Sequence, residues 1–102
     1  MRIIDKAAWQ IDGGVPKNTV VQHFKTVFEW LDKKNMLTEE GQEELADGID
    51  ECASLHERLI SSEALAFFVE RYDDYLKRVE YGGDEGARVL DRLYNEYAQD
   101  RP

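Results

Sequence analysis

From residue 16 onward, apolar side chains recur with helical spacing. At about 100° per residue, Val20, Phe24, Val27 and Leu31 fall on one line, flanked by Val21 and Phe28. Gln22, Lys25, Glu29, Asp32 and Lys33 fall opposite. This pattern predicts an amphipathic helix over residues 16–34. Pro16 suits its first turn, where a missing N–H costs nothing, and Asn35 suits its end. Thr38 is a good N-cap for a second helix over 39–60, with Leu45, Ile49, Cys52, His56 and Leu59 as its stripe and Gly48 as its weak point. Ser61 or Ser62 caps a third helix over 62–81, which turns Leu65, Phe68, Val69, Tyr72, Leu76 and Val79 inward. Gly82 and Gly83 end it. Asp84 caps a fourth over 85–99, buried through Leu90, Leu93, Tyr94 and Tyr97.

Residues 1–15 lack this period. "RII" and "AWQI" read as short extended pieces, and "DGG" at 12–14 as a turn. The segment is expected to be an arm that lays Trp9 and Ile11 on the domain formed by 16–102. Short connections make successive helices antiparallel neighbours. The expected fold is therefore all-α: an up-and-down antiparallel four-helix bundle with a short N-terminal arm.

Composition narrows the function. Hydrophobic residues make up 42% and charged residues 34% of 102 residues, which fits one globular domain rather than a disordered chain. The net charge of −9 comes without any basic stripe. Nucleic acid and anionic membrane surfaces are thus disfavoured, and a basic protein partner is favoured. Cys52 is the single cysteine, so no internal disulfide can form. With no run resembling a signal sequence or a membrane span, the expectation is a cytoplasmic protein.

The charge concentrates in "TEEGQEELADGIDE", residues 38–51, which holds seven carboxylates, two glycines and no Lys or Arg. Glu39 and Glu40 benefit from the positive end of the helix macrodipole, but Glu43, Glu44, Asp47, Asp50 and Glu51 lie beyond its reach. Glu39–Glu43, Glu40–Glu44, Glu43–Asp47 and Asp47–Glu51 are like-charge pairs at i, i+4, each costing about 0.2–0.5 kcal/mol. Two readings compete: a solvated face that keeps the protein in solution, and a docking surface for a basic partner. A calcium site is a third, but a regular helix cannot wrap an ion. Gly41 and Gly48, seven apart, are expected to let a neighbouring helix approach or to seat Trp9 or Trp30.

No motif for chemistry stands out. "DGGVPKNT" lacks the spacing of a phosphate loop. Cys52 and His56 share a helical face at i, i+4, and with His23 could make three metal ligands or a thiol beside a base. A buried cysteine and a hydrogen-bonded core histidine explain the pair more simply. No catalytic, metal or cofactor site is expected. On the third helix, Phe67 points away from the Leu65–Tyr72–Leu76 stripe and shares a face with Arg71, Asp74, Arg78 and Tyr81. Outward aromatics ringed by arginine have the composition of an interface anchor. Tyr72, Tyr75, Tyr94 and Tyr97 read as core side chains with their hydroxyls reaching solvent.

The leading expectation is a non-catalytic, acidic, helical binding module. Glu43, Asp47, Asp50 and Glu51 would attract a basic protein, and Phe67, Arg71 and Tyr81 would anchor it. By analogy of size and charge, an inhibitor or immunity-type protein is its concrete form. A self-associating structural or regulatory subunit, dimerising through the Phe67–Tyr81 face, is the second expectation. A metal or thiol enzyme using Cys52 and His56 is the third.

Overall fold

The computed structural model describes residues 1–79 and 85–100. In chain order it contains β1 (Ile3–Lys6), α1 (Ala7–Asp12), α2 (Lys17–Lys33), α3 (Glu39–Asp47), β2 (Ser54–His56), α4 (Ser62–Arg78) and α5 (Gly86–Asp100). The molecule is mostly helical, but it is not purely α, and a four-helix bundle does not describe it: five helices accompany a small antiparallel sheet among the described residues.

Three of the expected helices form close to their expected bounds. α2 ends where Asn35 takes a positive φ of 58°, a conformation asparagine tolerates. Thr38 caps α3 by accepting a hydrogen bond from the Gly41 amide, and Ser61 caps α4 by accepting one from Ala64. The expected caps at Gly82, Gly83 and Asp84 lie outside the described residues.

The second helix is the main correction. It stops at Asp47 rather than running to 60, because Gly48 turns the chain with φ 102°, ψ 137°, a conformation reserved for glycine. Asp50 then fixes a turn. Its side chain accepts the Cys52 amide at 2.8 Å and its carbonyl accepts the Ala53 amide at 3.1 Å. The chain continues into the short strand β2, with Leu55 inward and Ser54 and His56 half-buried. The run Leu45, Ile49, Cys52, His56, Leu59 keeps a helical period over a segment that is helix, turn and strand in succession.

The N-terminal arm is likewise built differently. β1 pairs with β2, setting Ile3 opposite His56, Asp5 opposite Leu55 and Lys6 opposite Ser54, with an irregularity at Ile4. "AWQI" is not extended but belongs to α1, whose first amide donates to the Ala53 carbonyl at 3.0 Å. Ile11 packs on the core as expected, while Trp9 remains 54% exposed.

The core lies where α2, α4 and α5 meet. Val20, Phe24, Val27, Phe28 and Leu31 from α2 face Leu90, Leu93 and Tyr97 from α5. α4 is rotated from its expected setting: Ala64, Phe67, Phe68, Tyr72 and Tyr75 are buried, whereas Val69 is exposed and Leu65 and Leu76 are only partly covered. Large aromatics gain more from burial than aliphatic side chains do, so they set the rotation of the helix. Gly86 lets α5 sit tightly here, since a Cβ there would meet Thr26 Cγ2 at 2.8 Å.

Candidate functional site

Two places combine polar chemistry with defined geometry: a buried hydrogen-bond chain in the core and the acidic surface of α3 with the turn after it. In the first, the Tyr72 hydroxyl donates to Asp5 Oδ2 at 2.6 Å and lies 3.1 Å from His23 Nε2. Gln10 Nε2 donates to the same carboxylate oxygen, and the Lys6 amide donates to Asp5 Oδ1 at 2.8 Å. Asp5 and His23 are 5% and 4% exposed. Burial raises the Asp5 carboxyl above its ordinary value, against the opposing pull of the hydrogen bonds from Tyr72, Gln10 and Lys6. Burial lowers His23 to about 4, so its ring is neutral at pH 7. The chain ties the N-terminal strand to α2 and α4. It has the form of a structural network, with each member held by another, and among the described residues Gln10 Oε1 is its buried atom left without a hydrogen-bond partner.

The second place is open. Glu39, Glu40, Glu43, Glu44 and Asp47 are all exposed along α3, and Asp50 and Glu51 are exposed on the turn. The like-charge pairs Glu39–Glu43, Glu40–Glu44 and Glu43–Asp47 all form on the helix. The fourth expected pair, Asp47–Glu51, does not, because the helix ends between its members. Lys17 Nζ reaches Glu51 at 3.9 Å, and both side chains remain more than half exposed. Among the described residues, no ion pair within 4.0 Å engages Glu43 or Asp47. The last turn of α3 contains no basic residue, so the negative end of the helix dipole adds to the field of its carboxylates. Glu44, Asp47, Gly48, Ile49, Asp50, Cys52 and Ala53 line a depression of about 390 Å³ at this end.

Other expected site residues disperse. Phe67 is not on the surface. It is 1% exposed, with its ring centroid 5.9 Å from Trp30, 5.1 Å from Phe68, 5.2 Å from Tyr94 and 5.4 Å from Tyr97. The stripe that left it outside belongs to a differently rotated helix. Arg71 bonds Asp100 at 2.6 Å and lies 3.8 Å from Glu70, so its charge is engaged within the molecule. Tyr81 lies outside the described residues. Asp50 spends one carboxylate oxygen on its own turn.

The Cys52–His56–His23 set does not assemble. Cys52 is exposed on a turn, and His56 Nδ1 accepts the Arg58 amide at 3.2 Å. His23 stacks on Tyr75 with centroids 5.4 Å apart. Among the described residues, no group of three or more His, Cys, Asp or Glu side chains is arranged to hold a metal ion, and no helix is long and apolar enough to cross a membrane.

Sequence reasoning missed two features. The Asp5–Tyr72–His23 chain joins residues far apart along the polypeptide, and no local pattern signals it. The exposure of Trp9 follows from α1, which an extended reading of "AWQI" concealed. Compared with family models, curated proteins and solved structures, the chain matches none of them, so its function is read from its own geometry and charge.

Proposed function

We propose that the chain is a non-catalytic binding module that docks on a basic protein partner through the acidic surface of α3 and the turn after it. The observation that carries this reading is the row Glu43–Asp47. It is exposed, lacks internal ion pairs among the described residues, and runs into the negative end of its own helix beside a depression rimmed by Glu44 and Asp50. A helix with this arrangement sacrifices stability in isolation, and a cationic partner relieves the repulsion. The field also attracts such a partner from a distance and speeds encounter at low salt. An inhibitor or immunity-type role is one form such a module takes. Phe67, one end of the face expected to support dimerisation, is buried, and Tyr81, its other end, lies outside the described residues.

The test is the association rate of an arginine-rich helical peptide, followed over a salt series. Glu43→Lys with Asp47→Lys should slow association about tenfold at low ionic strength and flatten its salt dependence. A control with the same net charge, Glu29→Lys with Asp73→Lys on the exposed faces of α2 and α4, should stay near wild type. Equal slowing in both variants would show that only total charge matters and would reject the acidic surface as a docking site.

A further inference from the structure

Among the described residues, Trp9 is the one exposed aromatic in the group of large apolar side chains left to solvent, which also includes Met1 and Val69. Its position is specific. Lys6, the last residue of β1, stands opposite Ser54, and the Lys6 ammonium lies 5.8 Å from the centroid of the Trp9 ring. The ring therefore lies on the outer side of the two-stranded ribbon, since the next pair along, Asp5 and Leu55, is buried. The Ala7–Ala53 hydrogen bond joins the start of α1 to the end of the acidic turn, and the Lys17–Glu51 pair brings the start of α2 to that turn. Asp12 follows Trp9 by three residues on α1, so the two share a helical face, and Asp12 is exposed as well.

An indole attracts cations to its π face, and guanidinium stacks there better than ammonium because it is planar and less tightly hydrated. Lys6 already uses the ring in this way. A carboxylate one helical turn along could accept the N–H groups of a stacked guanidinium, as Asp12 is placed to do. Exposed tryptophan is also the residue type most enriched among interface hot spots.

We propose that Trp9 is the anchor of the docking surface: an arginine of the basic partner stacks on its indole, displacing Lys6, and pairs with Asp12, while the acidic turn and α3 supply the surrounding field. This rests on the function proposed above and names the side chain the partner carries. The carboxylates then govern how fast the partner arrives, and Trp9 governs how long it stays.

The experiment uses the full chain and the same arginine-rich helical peptide, with tryptophan emission and acrylamide quenching as readouts. Trp30 is buried, so Trp9 accounts for the quenchable emission of the unbound protein. Peptide binding should shield Trp9 from acrylamide. Trp9→Leu should weaken binding about three- to thirtyfold through faster dissociation, with the association rate unchanged. Asp12→Asn should weaken it less, with Trp9 still shielded. An all-lysine peptide of the same length should bind more weakly to wild type, and that difference should vanish in Trp9→Leu. If Trp9→Leu binds as tightly as wild type while the Glu43→Lys, Asp47→Lys variant loses its fast association, the anchor is rejected and the acidic docking surface stands. If wild type does not bind the peptide at all, both fall. Far-UV circular dichroism of Trp9→Leu should match wild type, because the side chain is half in solvent and is not part of the core.

Discussion

Tyr72 links three segments through one hydroxyl. That hydroxyl donates to Asp5 on β1 and lies within hydrogen-bond distance of His23 on α2. Tyr72→Phe keeps the ring and removes this link, leaving a buried carboxylate and a buried imidazole each with one partner fewer. The expected loss is about 1–3 kcal/mol in urea unfolding, more than deletion of an exposed hydrogen bond costs. His23 and Asp5 set opposite pH trends. The folded pKa of His23 is depressed from 6.5 to about 4, so its stabilising contribution is present above pH 6.5 and drains away as pH falls toward 4. That displacement corresponds to about 3 kcal/mol. The Asp5 pKa is raised, so its contribution is greatest in acid and declines as pH rises through the folded value. His23→Gln, which retains a hydrogen-bonding side chain but does not titrate, should therefore flatten the loss of stability between pH 6.5 and 4. A wild-type curve equally flat in that window would show that His23 is not held neutral by burial. The sequence put Tyr72 on an apolar stripe, but the core histidine it offered was His56, which is only half-buried, whereas His23 is the one buried in the core. The sequence could not show that the tyrosine hydroxyl turns inward, since the acceptor lies 67 residues away on a strand with no periodic signature.

The two glycines of the acidic segment have different duties. Gly41 lies where α3 passes the backbone that leads into α4. A Cβ there would fall 2.1 Å from the Leu59 carbonyl oxygen, and that backbone is pinned because Leu59 O accepts the Thr38 amide at 2.9 Å. Gly48 meets nothing within 4 Å and serves through its positive φ alone. Gly41→Ala should thus shift α3 bodily and cost about 3 kcal/mol or more, while Gly48→Ala should cost about 1–3 kcal/mol as backbone strain. Calorimetric melting of the pair checks the order, and a Gly41→Ala variant as stable as wild type would mean that α3 is not tightly seated. Close approach at Gly41 was readable from its flank position, although the neighbour is the turn after β2 rather than a helix. The strand after Gly48 was hidden for a physical reason. Leu55 and Leu59 are both buried, and helix and strand readings agree wherever apolar residues are spaced by four. The deciding features are the Asp50 turn and pairing with β1, and the second of these is a tertiary contact. The caps at Asn35, Thr38 and Ser61 were legible because capping is local chemistry. The same locality explains why α2, α4 and α5 were found while the rotation of α4 was not: relative burial of Phe67 and Val69 is decided by which helices flank them.

Charge acts across the whole molecule, and here stability and the proposed function pull in opposite directions. The chain carries −9 net, yet the closest ion pairs, Arg71–Asp100, Arg78–Glu96 and Lys34–Asp91, lie on or beside α2, α4 and α5. On α3 the repulsion stands unrelieved among the described residues. Glu43→Lys with Asp47→Lys moves the net charge from −9 to −5, each substitution adding two units. It converts Glu39–Glu43 into an attractive pair, exchanges the anionic repulsion between positions 43 and 47 for a cationic one of similar size, and places a cation in the last turn, where the dipole favours one. These gains sum to about 1–2 kcal/mol at low ionic strength. Salt screens them within about a Debye length, so the advantage over wild type should shrink in concentrated sodium chloride. Wild type should itself grow more stable as salt is added, as expected where self-repulsion is the dominant charge term. The same variant is the one expected to capture a basic peptide slowly. A protein made more stable by losing its binding surface is what selection for docking rather than for stability leaves behind. Chemical unfolding at low and high salt decides the point. If the double variant is no more stable than wild type at low salt, the molecule's own cations already neutralise α3, and the field invoked to recruit a partner is absent.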